Sequence, residues 1–262
     1  MSAVLYETRG PLAVITLNRP GALNALNHEM IGGLAIATAR AGDDPNVRVV
    51  LIRGGGDHFM AGGDLKWFRE EIDGRHPDIE AHFQQTIDQV HASTQAIRNM
   101  DKPVIAVVHG AVAGFGLSLM LACDFALAAD NAYFTLAYCH IGLSPDGGAT
   151  WLLPRLVGLR KASELALLGE RFDAGTAATL GLVNRVVPLA ELNRDAEALA
   201  ARLAAGPAAA LARTKALLQS SFDHSLDQQL AAEKRAFAAC AAEPDFAEGL
   251  AAFAEKRKAR FV

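Results

Sequence analysis

Twice in its first half, this chain runs from a strand-length apolar stretch into a turn of small residues that opens a helix. Phe59-Met60-Ala61-Gly62-Gly63-Asp64-Leu65 follows the β-branched run Val47 to Ile52 (VRVVLI). Gly110-Ala111-Val112-Ala113-Gly114-Phe115-Gly116-Leu117-Ser118 follows Pro103 to Val108 (PVIAVV) and leads into the helix-like Leu117 to Ala122. Small residues let a backbone approach a ligand closely, and free N–H groups at a helix start favour negative charge. Each turn alone is also an ordinary strand-to-helix connection. Together they are more specific, because each can aim one N–H at the same oxygen, the arrangement an enolate-like oxyanion requires. A dinucleotide fingerprint is excluded: Leu119 stands where the last glycine of GxGxxG belongs, and no acidic residue ends a suitable second strand.

Further strand-length runs are Leu12 to Leu17 (LAVITL), Phe125 to Ala128 and Ala132 to Leu136. Asn18-Arg19-Pro20-Gly21 closes the first of these, and Gly54-Gly55-Gly56 closes Val47 to Ile52. Asn27 reads as the cap of a helix carrying Met30, Leu34 and Ile36, weakened by Gly32-Gly33. From Glu191 onward Ala, Leu, Glu, Lys and Arg dominate with a three-to-four-residue period. Breaks at Gly206-Pro207 and Glu243-Pro244 predict about three helices there. Such helices are too few to enclose a core and must pack on the main domain or on another subunit. The chain therefore divides into a core over 1–190 and a helical region over 191–262.

The 262 residues suffice for one large core. No apolar run reaches bilayer length, and the start lacks a basic-then-apolar leader pattern, so a cytoplasmic protein with no membrane partner is expected. A net charge of −4 gives no general attraction to nucleic acid, and the one basic cluster is Lys256-Arg257-Lys258 with Arg260. Cys123, Cys139 and Cys240 form no CxxC, and two of the three read as core filler. No HExxH or paired-His spacing indicates a metal, and there is no P-loop or GxSxG. Asp146, in Pro145-Asp146-Gly147-Gly148 before the helix-like Ala149 to Leu156, has two readings: the N-cap of that helix, or a general base beside the glycine turns.

These motifs, in this order, resemble the crotonase (enoyl-CoA hydratase/isomerase) superfamily over essentially the whole chain. The resemblance is carried by Asn18-Arg19-Pro20 with Asn24-Ala25-Leu26, Phe59 to Leu65, Lys102 to Ala106, Gly110 to Asp124 and Gly142 to Gly148. It continues into Glu248-Gly249 and Glu255 to Phe261. It implies an α/β fold, the crotonase (ClpP-like) spiral of ββα units, with C-terminal helices that build a homotrimer or a hexamer formed as a dimer of trimers. The substrate it implies is an acyl-CoA thioester, with coenzyme A as part of the substrate and no separate cofactor.

By the resemblance, the N–H groups of Gly63 and Phe115 form the oxyanion hole, with Gly114 beside them. Ala22, Leu23, Ala25, Ala61, Asp64, Leu65 and Lys66 contact coenzyme A, and Lys256 reaches a neighbouring subunit's coenzyme A phosphate. The family's hydratases use two glutamates at places that here hold Ser118 and Tyr138, neither of which is a carboxylate. Gly142 to Gly148 with Thr150 to Arg155 looks most like the phenylacetate-pathway isomerase of ring-1,2-epoxyphenylacetyl-CoA.

Moving a double bond needs one base that takes a proton from one carbon and returns it to another, a task one carboxylate can perform. Isomerase with Asp146 as proton shuttle is therefore the first reading. A hydratase in which Asp146 activates water, with Ser118 or Tyr138 positioning it, is the second. A hydrolase or dehalogenase follows, and then an acyl-CoA- or RNA-binding protein without chemistry. Phe68, Phe83, Phe115, Tyr138 and Trp151 are candidate acyl-pocket residues, with 70–95 shaping the pocket. His82, His91 and His140 read as surface or packing histidines.

Overall fold

The computed structural model describes residues 2–261, so both outer ends of the two expected regions, residues 1 and 262, lie outside the described residues. The chain begins with an antiparallel pair, β1 (Val4–Arg9) and β2 (Leu12–Leu17). It then winds through repeated units, each placing one strand in a large parallel sheet, one segment in a smaller layer and one helix behind. In the first unit β2 leads through Asn24–Leu26 to α1 (His28–Asp43). The second runs from β3 (Val49–Gly54) through 59–63 to α2 (Leu65–Asp73), and α3 (Ile79–Asn99) follows.

The third unit is β4 (Val104–Val108), β5 (Ala111–Ala113) and α4 (Phe115–Ala122). The fourth is β6 (Phe125–Ala129), β7 (Tyr133–Thr135) and α5 (Ala149–Val157). After α6 (Leu159–Leu168) come β8 (Phe172–Asp173), α7 (Ala174–Thr179) and β9 (Arg185–Val187). Among the described residues the large sheet has the order β1-β2-β3-β4-β6-β9, and the small one β5-β7-β8. Lone bridges Leu26↔Gly63 and Met60↔Val112 extend the small layer back through the first two units. This is the crotonase spiral of ββα units.

β2, β3, β4 and β6 are buried along nearly their whole length, as their unbroken apolar runs require of parallel strands covered on both faces. On one face Ile15, Ile52, Ala106 and Ala128 meet α1, α3 and α4 in the main core. On the other, Val14, Leu51, Val107 and Leu127 pack under Leu192, Ala196 and Ala200 of α8 (Leu192–Ala204).

The remaining C-terminal helices are α9 (Ala208–Ser220), α10 (Leu226–Ala241) and α11 (Pro244–Ala254). The region thus holds four helices where three were expected. The missed break lies at Phe222 to His224, where Ser225 and Gln228 form a capping box opening α10. Neither α9 nor α10 fully buries a residue, and Phe222, Leu226, Phe237 and Phe253 stand exposed. Lys215 anchors α9 to the core through Asp124, at 2.8 Å with both side chains largely covered.

Other sequence expectations shift in detail. β3 starts two residues later than the apolar run and extends into Gly54. Of the cysteines, only Cys123 is buried, where burial pushes its thiol pKa far up; Cys139 is exposed and Cys240 half-buried. No helix among the described residues is long and apolar enough to cross a membrane.

Candidate active site

The two glycine turns meet because the small layer is in register. Met60 N–H donates to Ala111 O at 2.9 Å and Ala113 N–H to Met60 O at 2.8 Å, which sets Met60 opposite Val112. Three residues further along each strand stand Gly63 and Phe115. Gly62 and Gly114 make this approach possible: a Cβ on Gly114 would lie 3.2 Å from the Gly62 Cα, and Gly114 has φ 51°. Phe115 is the first residue of α4, so its N–H has no partner within the helix. Neither that N–H nor the Gly63 N–H finds an acceptor among the described residues. Both residues line one cavity of about 850 Å³.

The first connection is stitched to this pair. Leu26 N–H donates to Gly62 O at 2.7 Å, Asp64 N–H to Leu26 O at 2.9 Å, and Ala61 N–H to Leu23 O at 3.1 Å. Asn24 is fully buried and its Nδ2 reaches the Gly55, His58 and Phe59 carbonyls at 2.8–3.1 Å, while its Oδ1 accepts from Arg19 N–H. That network holds Leu23 and Asn24 in left-handed backbone, φ 53° and 56°.

Of the residues expected to contact coenzyme A, Ala61 and Leu65 line the cavity, while Ala22, Leu23, Ala25 and Lys66 do not; Leu65 and Lys66 are exposed and Ala25 is buried. Asp64 has a structural task as well. Its Oδ1 accepts from Lys66 N–H at 3.1 Å and Trp67 N–H at 3.4 Å to cap α2, and its Oδ2 pairs with Arg19 at 3.0 Å. Burial pushes its pKa up, but Arg19 and the two N–H groups outweigh that and leave it below the ordinary value. Lys256 is exposed near the chain end, with φ 55°.

Asp146 is the one carboxylate among the described residues lining the cavity. It is not the cap of α5: Gly148 holds that place without any side-chain cap. Instead, the loop carrying Asp146 is clamped from three sides. Ser118 Oγ donates to Asp146 O at 2.9 Å, Thr94 Oγ1 to Gly147 O at 3.4 Å, and Gly147 N–H to His91 Nε2 at 3.3 Å. Gly147 packs so closely that a Cβ would meet the Phe115 ring at 2.7 Å. The Tyr138 hydroxyl donates to Asp146 Oδ1 in a short hydrogen bond.

Burial raises the Asp146 pKa, and the Tyr138 hydrogen bond and His91 oppose it. Burial prevails, and the Asp146 carboxyl stands above its ordinary value. Burial and the adjacent carboxylate together push Tyr138 well above the usual phenol value, so it stays a donor.

Phe68, Phe83, Phe115 and Tyr138 all line the cavity, and Phe68 lies directly over the Gly63 Cα. Trp151 does not. It sits on the other side of α5, under the Arg155 guanidinium at 3.8 Å. Residues 70–95 do shape the cavity, but as α2 and α3, which roof it through Ile72, Phe83 and Ile87. His91 was missed as a site residue. Its signal was its place on α3 one turn from Ile87 and next to Val90, legible only once α3 is known to face the Asp146 loop. His140 also lines the cavity, with Nε2 3.1 Å from Gly169 O.

The enoyl-CoA hydratase/isomerase family model matches residues 7–262. The chain belongs to this family. A probable enoyl-CoA hydratase of Rhodobacter capsulatus is 39% identical over 261 residues, covering 99% of this chain and 97% of the relative. The 1,2-epoxyphenylacetyl-CoA isomerase of Escherichia coli is 34% identical, with 100% and 99% covered. The crystal structure of an enoyl-CoA hydratase from Polaromonas sp. JS666 superposes with a TM-score of 0.92 at 38% identity, with 99% of each chain covered. Enzymes of both reaction types thus share this family with the chain.

Proposed function

We infer that this family member is an acyl-CoA isomerase that shifts an enoyl-CoA double bond or isomerises an epoxyphenylacetyl-CoA. The carrying observation is that Asp146 is the single carboxylate among the described residues lining the cavity, while the expected glutamate places hold Tyr138, on the cavity, and Ser118, buried behind the Asp146 loop. The thioester oxygen sits between the Gly63 and Phe115 N–H groups. With a 3-enoyl-CoA, Asp146 takes a proton from C2, which the thioester acidifies. The electron pair moves onto the oxygen held by the two donors, giving a dienolate. Protonation at C4 by the same carboxylic acid leaves the double bond at C2 and restores Asp146. Burial raises the base's pKa and strengthens it for this step, while Tyr138 fixes one carboxylate oxygen and leaves the other to reach carbon.

The rings of Phe68, Phe83 and Phe115 suit an apolar or aromatic acyl group. Coenzyme A runs along 22–25 and 61–66. The apolar side chains exposed on α9 to α11 support assembly as a homotrimer or a dimer of trimers, with Lys256 turned to a neighbour's coenzyme A phosphate. Light scattering on the purified protein tests that assembly.

A second reading is hydration, favoured by the hydratase names among the relatives and by His91, which lines the same cavity and accepts from the N–H of Gly147, next to Asp146. In it, Asp146 activates water. Purified protein offered 3-enoyl-CoA, epoxyphenylacetyl-CoA and crotonyl-CoA separates the two. The isomerase reading expects turnover of one of the first two, lost in Asp146→Asn. Fast water addition to crotonyl-CoA, with neither isomerisation detected, overturns it.

A further inference from the structure

Glu71, at the end of α2, carries a dense set of polar partners that the acyl chemistry does not use. Its Oε1 accepts from Trp67 Nε1–H at 2.6 Å and lies 2.9 Å from His28 Nε2. Its Oε2 faces His82 Nε2 at 2.6 Å and His76 Nε2 at 3.1 Å. The two imidazoles stack with centroids 3.7 Å apart and planes at 14°. Glu71 is 12% exposed, His76 28% and His82 22%, so the group is sheltered without being sealed. One ligand atom from each of the three lies within 4.8 Å of the others.

Stacked imidazoles that aim the same nitrogen at one carboxylate oxygen are poorly served by protons alone. Both rings donate to one atom, and if both are charged they repel across the stack. A divalent cation relieves both problems, because it takes the lone pairs of two neutral rings and of Oε2 together. Ligand atoms about 2.1 Å from a tetrahedral zinc stand about 3.4 Å apart, so the His76 contact opens by about 0.3 Å and the His82 contact by about 0.8 Å as the stacked rings turn their nitrogens toward one ion. Two imidazoles and a carboxylate form a donor set that suits Zn²⁺ over Mg²⁺ or Ca²⁺. Trp67 and His28 hold the far oxygen, the outer support that orients a ligating carboxylate.

We propose that Glu71, His76 and His82 form a three-ligand site for a divalent transition cation, Zn²⁺ fitting best, with its fourth position open to water. The cation is structural. It ties the end of α2 to the start of α3 across the connection between them. His82 packs edge-on against Phe83, Phe83 against Phe68, and Phe68 covers Gly63, so the clip fixes the roof of the cavity.

The test uses untagged protein stripped with a chelator and titrated with Zn²⁺ alone, read by metal content after gel filtration and by thermal unfolding. One zinc per chain is expected, with the midpoint raised by about 5 °C at a hundredfold excess over Kd. His76→Ala and His82→Ala lose both effects, while Cys139→Ser, beside His140, keeps both. Co²⁺ in place of zinc gives a visible d–d band without thiolate charge transfer. Should His82→Ala fail to fold, that band and His76→Ala, in the connecting loop, decide. No stoichiometric zinc, or zinc retained by the histidine variants, overturns the proposal, as does a Co²⁺ spectrum showing thiolate ligation.

Discussion

The Cα atoms of Gly62 and Gly114 pass so close that a methyl group on Gly114 would stand 3.2 Å from its partner, in backbone already at positive φ. This contact brings the two helix-opening turns together and sets the spacing of the Gly63 and Phe115 N–H groups. Gly114→Ala should therefore push the turns apart. Loss of one aligned donor lowers kcat by about 10²–10³-fold, the cost of an oxyanion-hole group. Far-ultraviolet circular dichroism should stay as in the parent protein. A variant of full activity would show that the pair does not hold the thioester oxygen.

Asp146→Asn should abolish isomerisation, a loss of at least about 10²–10⁴-fold for removal of the acid–base group. Its effect on stability has the opposite sign. Burial raises the folded-state pKa of Asp146 above the unfolded value, so the folded state binds the proton more tightly. Stability then falls as pH rises from the unfolded value, about 4, through the raised folded one. The charge is a burden at neutral pH. Asp146→Asn should be the more stable protein at pH 7, and the gain should vanish below about pH 4. Denaturant unfolding at the two pH values checks this.

The pH dependence of kcat/KM tests the same carboxylate from the side of Tyr138. The base works only when ionised, so activity rises with pH through its pKa, which burial places above the usual carboxylate range. The Tyr138 hydroxyl opposes that shift by donating to Oδ1. Tyr138→Phe should therefore move the acid limb to higher pH and lower the rate at neutral pH about tenfold, the order expected for losing one hydrogen bond to a charged group. A limb left unmoved would mean that Tyr138 does not touch the working base.

The spiral was legible because its strands are unbroken apolar runs and its turns are marked by glycine. Leu12–Leu17 and the Asn27 cap fall where the pattern placed them. β5 was hidden inside a glycine turn: three residues, Ala111–Ala113, are too few to show a period, and only pairing with β7 makes them a strand. The Asp146 loop shows the limit most clearly. Proline, aspartate and two glycines before a helix read equally as a cap or a base. The tie is broken by Ser118, Thr94, His91 and Tyr138, from three other elements, and no local pattern could show that convergence. Trp151 failed for the opposite reason, since helix periodicity does not say which face of α5 meets the cavity.

Lys215 supplies a test of how the C-terminal helices are held. α9 buries no residue fully, so apolar packing does not fix it on the core. What does reach inward is the Lys215 ammonium, which pairs with Asp124 and donates to Ile97 O at 2.9 Å and Lys102 O at 3.0 Å. The Asp124 carboxylate in turn accepts from the Val104 N–H at 2.9 Å, where β4 begins. Removing the cation leaves that carboxylate covered and without its counter-charge, and two carbonyls lose their donor. Lys215→Met keeps the aliphatic stem and should still cost on the order of 3 kcal/mol, as breaking one side of a covered ion pair does. The double variant Lys215→Met with Asp124→Asn should recover part of the loss, because no unpaired charge remains. If α9 is instead held by contacts between subunits, Lys215→Met will leave the denaturation midpoint unchanged while assembly stays intact by light scattering.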